Sequence, residues 1–129
     1  MRIVIIGGPR SGKSTLAGRY KNHYCTDPKS LVKDVLPTTT YLPEGLEWGK
    51  DSDYVCENWL TMPGPWTIEG VGAVRALAKW KGEAPCDSIV VIKDVHPYSV
   101  RTSGEAMAKA VMTMWGRIAD KYQGITVYR

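Results

Sequence analysis

The sequence predicts a single α/β domain of three layers, in which helices cover both faces of a five-stranded parallel sheet. Short β-like runs alternate along the chain with longer segments of helical spacing, the arrangement that builds such a sheet. The first run, Arg2 to Ile6, is apolar after its first residue and rich in β-branched residues, as a strand buried on both faces must be. With 129 residues the chain has the size of one domain around one core, so residues 1–129 are expected to fold as a unit.

After the first strand a helix is expected from about Lys13 to Tyr24, with His23 near its end facing the negative pole of the helix dipole. Ser30 to Val35 is the candidate second strand, followed by a loop containing Pro, Thr and Gly from Leu36 to Lys50. Asp51 or Ser52 suits the N-cap of the next helix, which places Val55, Cys56, Trp59 and Leu60 on one face and stops at Pro63 and Gly64. Trp66 to Glu69 reads as the third strand. Val71, Val74, Leu77 and Ala78 then show helical spacing up to a stop at Gly82. Ser88 to Ile92 is the fourth strand. Thr102 and Glu105 stand in capping-box spacing at the head of the longest helix. Its stripe of Met107, Val111, Met114, Trp115, Ile118 and Tyr122 reads as core packing, not as a cofactor site. Gly124 ends this helix, and Ile125 to Tyr128 makes the fifth strand, whose sheet edge is a surface for self-association into a homo-oligomer.

Composition narrows the function. No segment approaches the roughly 18 consecutive apolar residues of a membrane span, and the N-terminus has neither the length nor the cleavage site of a secretion signal, so a cytoplasmic protein is expected. Cys25, Cys56 and Cys86 are widely spaced and form no metal-ligand pattern with His23 or His96; they read as reduced thiols. The net charge of +4 favours anionic partners, but the basic residues are scattered among acids and no nucleic-acid-binding signature accompanies them. A nucleotide is the better match than DNA or RNA.

Between the first strand and the first helix stands the run Gly7, Gly8, Pro9, Arg10, Ser11, Gly12, Lys13, Ser14, Thr15, which matches GxxxxGK(S/T) in full. Glycines let the backbone curl around phosphate oxygens with its N–H groups inward, and the following helix adds its positive N-terminal pole. Lys13 is suited to the β- and γ-phosphates and the Ser14 hydroxyl to magnesium. Arg10 lies within the loop, where backbone amides make most phosphate contacts. Glu69 follows an apolar strand whose carboxyl end opens toward a ligand crevice, and a charge there needs a partner.

The run from Gly7 to Thr15 resembles the Walker A loop of P-loop NTPases, and the rest of the chain resembles their nucleotide-kinase and small-metabolite-kinase branch, adenylate-kinase-like proteins among them, as well as small bacteriophage P-loop proteins. The resemblance implies a P-loop domain with strand order 2-3-1-4-5, with ATP and Mg2+ as cofactors and the host cytoplasm as location for a phage-encoded chain. It implies that Ile68, Glu69 and Gly70 stand where these kinases end their third strand in an acid and a glycine, so that Glu69 joins Ser14 at magnesium. Arg75 resembles the arginine that holds an acceptor phosphate, and Asp34 the acid that orients an acceptor hydroxyl. Trp48 lies in the segment where an acceptor site forms, and Arg101, in a short lid from Asp94 to Thr102 that also holds His96, resembles the cation that reaches the transferring group. The resembling kinases continue past the fifth strand into a loop and helix that help hold the nucleobase, so base selectivity is not implied.

These readings lead to a phosphotransferase with Lys13, Arg101 and Asp34 as its catalytic residues and a nucleoside triphosphate as donor. Its small phosphate acceptor, a nucleotide or nucleoside, would meet Asp34, Trp48 and Arg75. The alternative is a P-loop ATPase that works as a switch or assembly factor with a protein or DNA partner. A GTPase is disfavoured because no NKxD motif is present, and a loop that binds without turnover is disfavoured by the complete Lys13–Ser14 pair.

Overall fold

The apolar run at the N-terminus becomes the middle of a sheet. The computed structural model describes residues 1–8, 16–17, 22–27, 29, 37–47, 49–93 and 104–129. Among them, β1 (Arg2–Ile6), β2 (His23–Cys25), β3 (Thr40–Tyr41), β4 (Trp66–Glu69), β5 (Ser88–Val91) and β6 (Thr126–Tyr128) form one all-parallel sheet in the order β3-β2-β4-β1-β5-β6. Helical segments alternate with these strands: α1 (Lys50–Tyr54), which widens into a π-helical turn over Val55–Trp59, α2 (Ala73–Lys79), and α3 (Gly104–Ile118), which tightens into a 3-10 segment over Ala119–Ile125. Leu16 and Ala17 also have helical backbone.

Strand alternation divides the core in two. Val4 and Ile6 of β1 join Trp66, Ile68, Ile89 and Val91 on one face, under Trp59 of the π turn, Leu77 of α2 and Trp115 of α3. Ile3 and Ile5 point the other way and meet Val90, Leu16 and Ala17. Since β1 is apolar from Ile3 to Ile6, it can pack on both sides, which is why it sits between β4 and β5.

The expected sheet of five strands in the order 2-3-1-4-5 is corrected in two respects. Thr40–Tyr41 adds a sixth strand at the edge, and the strand beside β4 is His23–Cys25 in place of residues 30–35. β4 thus lies between β1 and β2, and the candidate strand Ser30 to Val35 lies outside the described residues. The expected first helix cannot run to Tyr24. Asn22 has a left-handed backbone, with φ of 58°, and its side-chain amide donates to the Pro65 carbonyl at 2.9 Å, so the chain turns there and enters β2.

Elsewhere the differences are small. Helix α1 begins at Lys50 behind Gly49, whose φ is 84°, rather than behind an Asp or Ser cap. In α2 the buried positions are Ala73, Val74, Ala76 and Leu77, while Ala78 is exposed. The buried stripe of α3 is Ala108, Val111 and Trp115; Met107, expected in the core, is 45% exposed. The capping-box residue Thr102 lies outside the described residues.

One contact ties the end of the chain to the centre. The Tyr122 hydroxyl, buried in the 3-10 segment, donates to the Leu77 carbonyl at 3.0 Å, and its ring stacks on Trp115 with centroids 6.3 Å apart. Leu77 lies in the last turn of α2, where carbonyls lack helical partners, so the phenol satisfies a group that would otherwise be buried unpaired. Burial pushes the Tyr122 phenol up to about 12. Tyr122→Phe is therefore expected to lower the unfolding free energy by about 1 kcal/mol, read by urea denaturation; an unchanged midpoint would show that the bond contributes nothing.

Candidate functional site

Because all strands are parallel, their carboxyl ends meet at one edge of the sheet. There β1 runs into Gly7 and Gly8, β2 into Thr26 and Asp27, β3 into Leu42, and β4 into Gly70. Ligands of parallel α/β sheets bind at such edges. Of the residues singled out by sequence, Gly7, Gly8, Glu69 and Arg75 are described. Pro9, Arg10, Ser11, Gly12, Lys13, Ser14, Thr15, Asp34, Trp48, His96 and Arg101 lie outside the described residues.

Gly7 and Gly8 are both buried. A Cβ on Gly8 would stand 2.6 Å from Ala108 Cβ and 2.8 Å from Ala108 Cα, so α3 rests directly on the backbone that leaves β1. Gly8 occupies a variable position of the phosphate-loop pattern. Packing by α3 is what requires glycine there.

Glu69 is fully buried, on the face of β4 opposite the main aromatic core. Its Oε1 lies 3.0 Å from His23 Nε2, and His23 Nδ1 lies 3.0 Å from Thr39 Oγ1. His23 pairs with Thr67 across β2 and β4, and Cys25 pairs with Glu69, so the side chains of His23, Cys25, Thr67 and Glu69 share one face. With Glu69 ionised, Nε2 carries the proton and donates, and Nδ1 accepts from the Thr39 hydroxyl in a neutral ring or donates to it in a protonated one. Sequence reading assigned His23 to a helix end. Three residues are too few for a period, so no local signal marked this strand; in the fold Tyr24 faces the aromatic core and its neighbours His23 and Cys25 share the face of Glu69.

Beyond Glu69 the backbone is held by the end of β2. The Thr26 amide donates to the Glu69 carbonyl at 2.8 Å. Thr26 Oγ1 accepts from the Gly72 amide at 3.1 Å, and Asp27 Oδ1 accepts from the Val71 amide at 3.2 Å. Two side chains distant in sequence thus bind the amides that lead into α2, in place of a local N-cap. Gly70 has φ of 128°, and a Cβ there would lie within 3.0 Å of the Thr26 amide nitrogen and overlap Thr26 Oγ1. Only glycine can follow Glu69 in this turn.

Arg75 is exposed on α2 and faces a cleft of about 460 Å³, bounded by Lys29 and by the loop from Leu42 to Asp51. The structure thus brings Arg75 to the segment in which an acceptor site was expected. Two buried thiols, Cys25 opposite Glu69 and Cys86 in the aromatic core, are held above the usual thiol range. Burial, with Glu69 and Asp27 adding to it, pushes Cys25 well up, and burial pushes Cys86 up to about 12.

Among the described residues no group of three or more His, Cys, Asp or Glu side chains could hold a metal ion, and no helix is long and apolar enough to cross a membrane. A small set of protein oxygens is nonetheless what magnesium takes, since it keeps waters and phosphate oxygens as its other ligands. The Glu69 carboxylate is chemically such a donor, but its side chain is fully buried with Oε1 on His23 Nε2, so it would reach magnesium only by leaving that contact or through water. No family model matches the chain, and neither the curated proteins nor the solved structures contain a significant match to it.

Removing His23 would leave the Glu69 carboxylate buried without its imidazole. His23→Ala is expected to lower the unfolding free energy by about 3 kcal/mol, with His23→Gln losing less because it keeps a donor. Denaturant unfolding of both variants checks this, and losses below about 1 kcal/mol in each would mean that the pair carries little of the fold.

Proposed function

We propose that this chain is a P-loop phosphotransferase that binds ATP with magnesium and passes the γ-phosphoryl group to a small acceptor. The observation that carries the reading is the complete phosphate-loop run from Gly7 to Thr15 in direct continuation of the central strand β1. A phosphate loop works through backbone amides at the turn from a buried strand into a helix. The helical backbone at Leu16 and Ala17, directly after the run, supports that context.

In this reading the amides from Gly7 to Thr15 hold the phosphates and the Lys13 ammonium offsets charge on the β- and γ-phosphates. Ser14 and Glu69 would hold magnesium, directly or through water, and the ion would supply charge neutralisation at the phosphate oxygens. Arg101 would approach the charge that develops on the transferring group, and Asp34 would orient the acceptor hydroxyl. Arg75 and Trp48 would contact the acceptor. Little covalent chemistry falls to the protein; positioning and electrostatic stabilisation would carry the rate.

A test uses γ-labelled ATP, magnesium and a panel of nucleosides and nucleotides. Label is expected on an acceptor, and Lys13→Ala is expected to reduce transfer about 100-fold or more while circular dichroism shows an unchanged fold. Acceptor-independent phosphate release stimulated by DNA or a protein partner would reject the kinase reading in favour of a switch ATPase. Unchanged ATP affinity and turnover in Lys13→Ala would reject the phosphate loop itself.

A further inference from the structure

His23 is buried and both of its ring nitrogens are engaged: Nε2 lies 3.0 Å from Glu69 Oε1, and Nδ1 lies 3.0 Å from Thr39 Oγ1. The ring cannot turn without losing a contact at each end. Thr39 stands there because β3 pairs with β2 in the register Tyr24 to Thr40, which sets the residue before Thr40 beside His23. Thr39, His23 and Glu69 thus form one polar row across the sheet. Such a row is a weak source of stability, since apolar residues of similar volume often serve a core as well. Its presence at the end of β4 calls for a role besides folding.

The row ends next to the phosphate-loop run. Glu69 pairs with Ile5 of β1, two residues before Gly7, and its side chain is on the face that carries Ile5. Leu16 and Ala17, which follow Thr15 in the chain, pack on that same face. The carboxylate therefore lies on the side of the sheet that the residues after the run cover. An ionised carboxylate offers about four acceptor sites, so a bond from His23 is compatible with accepting a second one from a metal-bound water. Magnesium keeps several of its waters when it binds to protein.

We propose that His23, held by Thr39, is a positioning residue of the magnesium site: it fixes the orientation in which the Glu69 carboxylate takes a water of the ion. The contact on Oε1 is kept in this role, so Glu69 acts through water and not by direct coordination. Removing a partner that orients a metal-site ligand costs about 10- to 100-fold in metal affinity. Thr39 acts one step further out, through the ring it anchors. This role of His23 rests on the reading in which Ser14 and Glu69 hold magnesium beside ATP.

The experiment follows thermal unfolding of the full chain with ATP over a magnesium series, each protein referred to its own ligand-free midpoint. The native chain is compared with His23→Leu, which fills the space without a donor, His23→Gln, which keeps a donor, and Thr39→Val, which removes only the anchoring hydroxyl. The magnesium concentration that gives half of the ATP-dependent gain is expected to rise about tenfold in His23→Leu, to recover partly in His23→Gln, and to rise by a smaller factor in Thr39→Val. The response to ATP in EDTA is expected to be the same in all four proteins. In a Glu69→Gln background the same substitutions are expected to add no further shift, because they act through the carboxylate. If His23→Leu does not fold, the Gln and Val variants carry the test. A role in folding alone would lower the ligand-free midpoints and leave the magnesium requirement unmoved. That result, a shift that persists in full without Glu69, or a lower magnesium requirement in a His23 variant, as direct coordination by a released carboxylate would give, would overturn the proposal. A native chain that gains nothing from ATP and magnesium would remove the magnesium reading and this role with it; a responsive native chain beside indifferent His23 and Thr39 variants would remove the role alone.

Discussion

A carboxylate buried at the end of an inner strand is the constraint around which this molecule is arranged. Glu69 is sealed from solvent, and its Oε1 is met by His23 Nε2 from the neighbouring strand. Isolated charge cannot be kept in such a place, so β2 must deliver its imidazole in a fixed register. That register, His23 opposite Thr67 and Cys25 opposite Glu69, brings Thr26 and Asp27 to the amides in front of α2. The helix that bears Arg75 is therefore positioned by the same strand that brings His23 to Glu69. A polar interaction on one face of the sheet sets where a cation stands at its edge.

The opposite face contributes a second restraint. Ala108 of α3 rests on Gly8, and the same helix packs Val111 and Trp115 into the aromatic core and leads to Tyr122, which reaches back to Leu77 in α2. The backbone leaving β1 is thus clamped from one face by α3, while Leu16 and Ala17 cover Ile3 and Ile5 on the other. A phosphate loop gains from such a base, because its donors must already be aimed when the anion arrives. Packing alone fixes Gly8, where a methyl group would meet Ala108 and displace the helix.

Much of this order was legible in the sequence. The strands β1, β4 and β5 are apolar runs with clear punctuation, and the stripe of α3 has helical period, so each announces itself locally. β2 and β3 do not. They have three and two residues, too few for a period, and β2 is set by the Asn22 turn and by Glu69, a partner far away in sequence. The same holds for the site. Glu69 was marked by a charge after an apolar strand, and Arg75 by its resemblance to an arginine that holds an acceptor phosphate, but His23 and Asp27 acquire meaning only from neighbours that folding brings to them. Pairing between distant residues leaves no mark on local pattern.

If Glu69 serves both the fold and a magnesium site, then nucleotide, metal and stability must be linked at this residue. The most direct measurement is thermal unfolding of the native chain and of Glu69→Gln, each with ATP over a magnesium series and each referred to its own ligand-free midpoint. A ligand that binds only the folded state raises that midpoint. The native chain is predicted to gain stability from ATP when magnesium is present, and Glu69→Gln to need a higher magnesium concentration for the same gain. No gain in the native chain, or superimposable magnesium titrations in the two proteins, would contradict the dual role of Glu69.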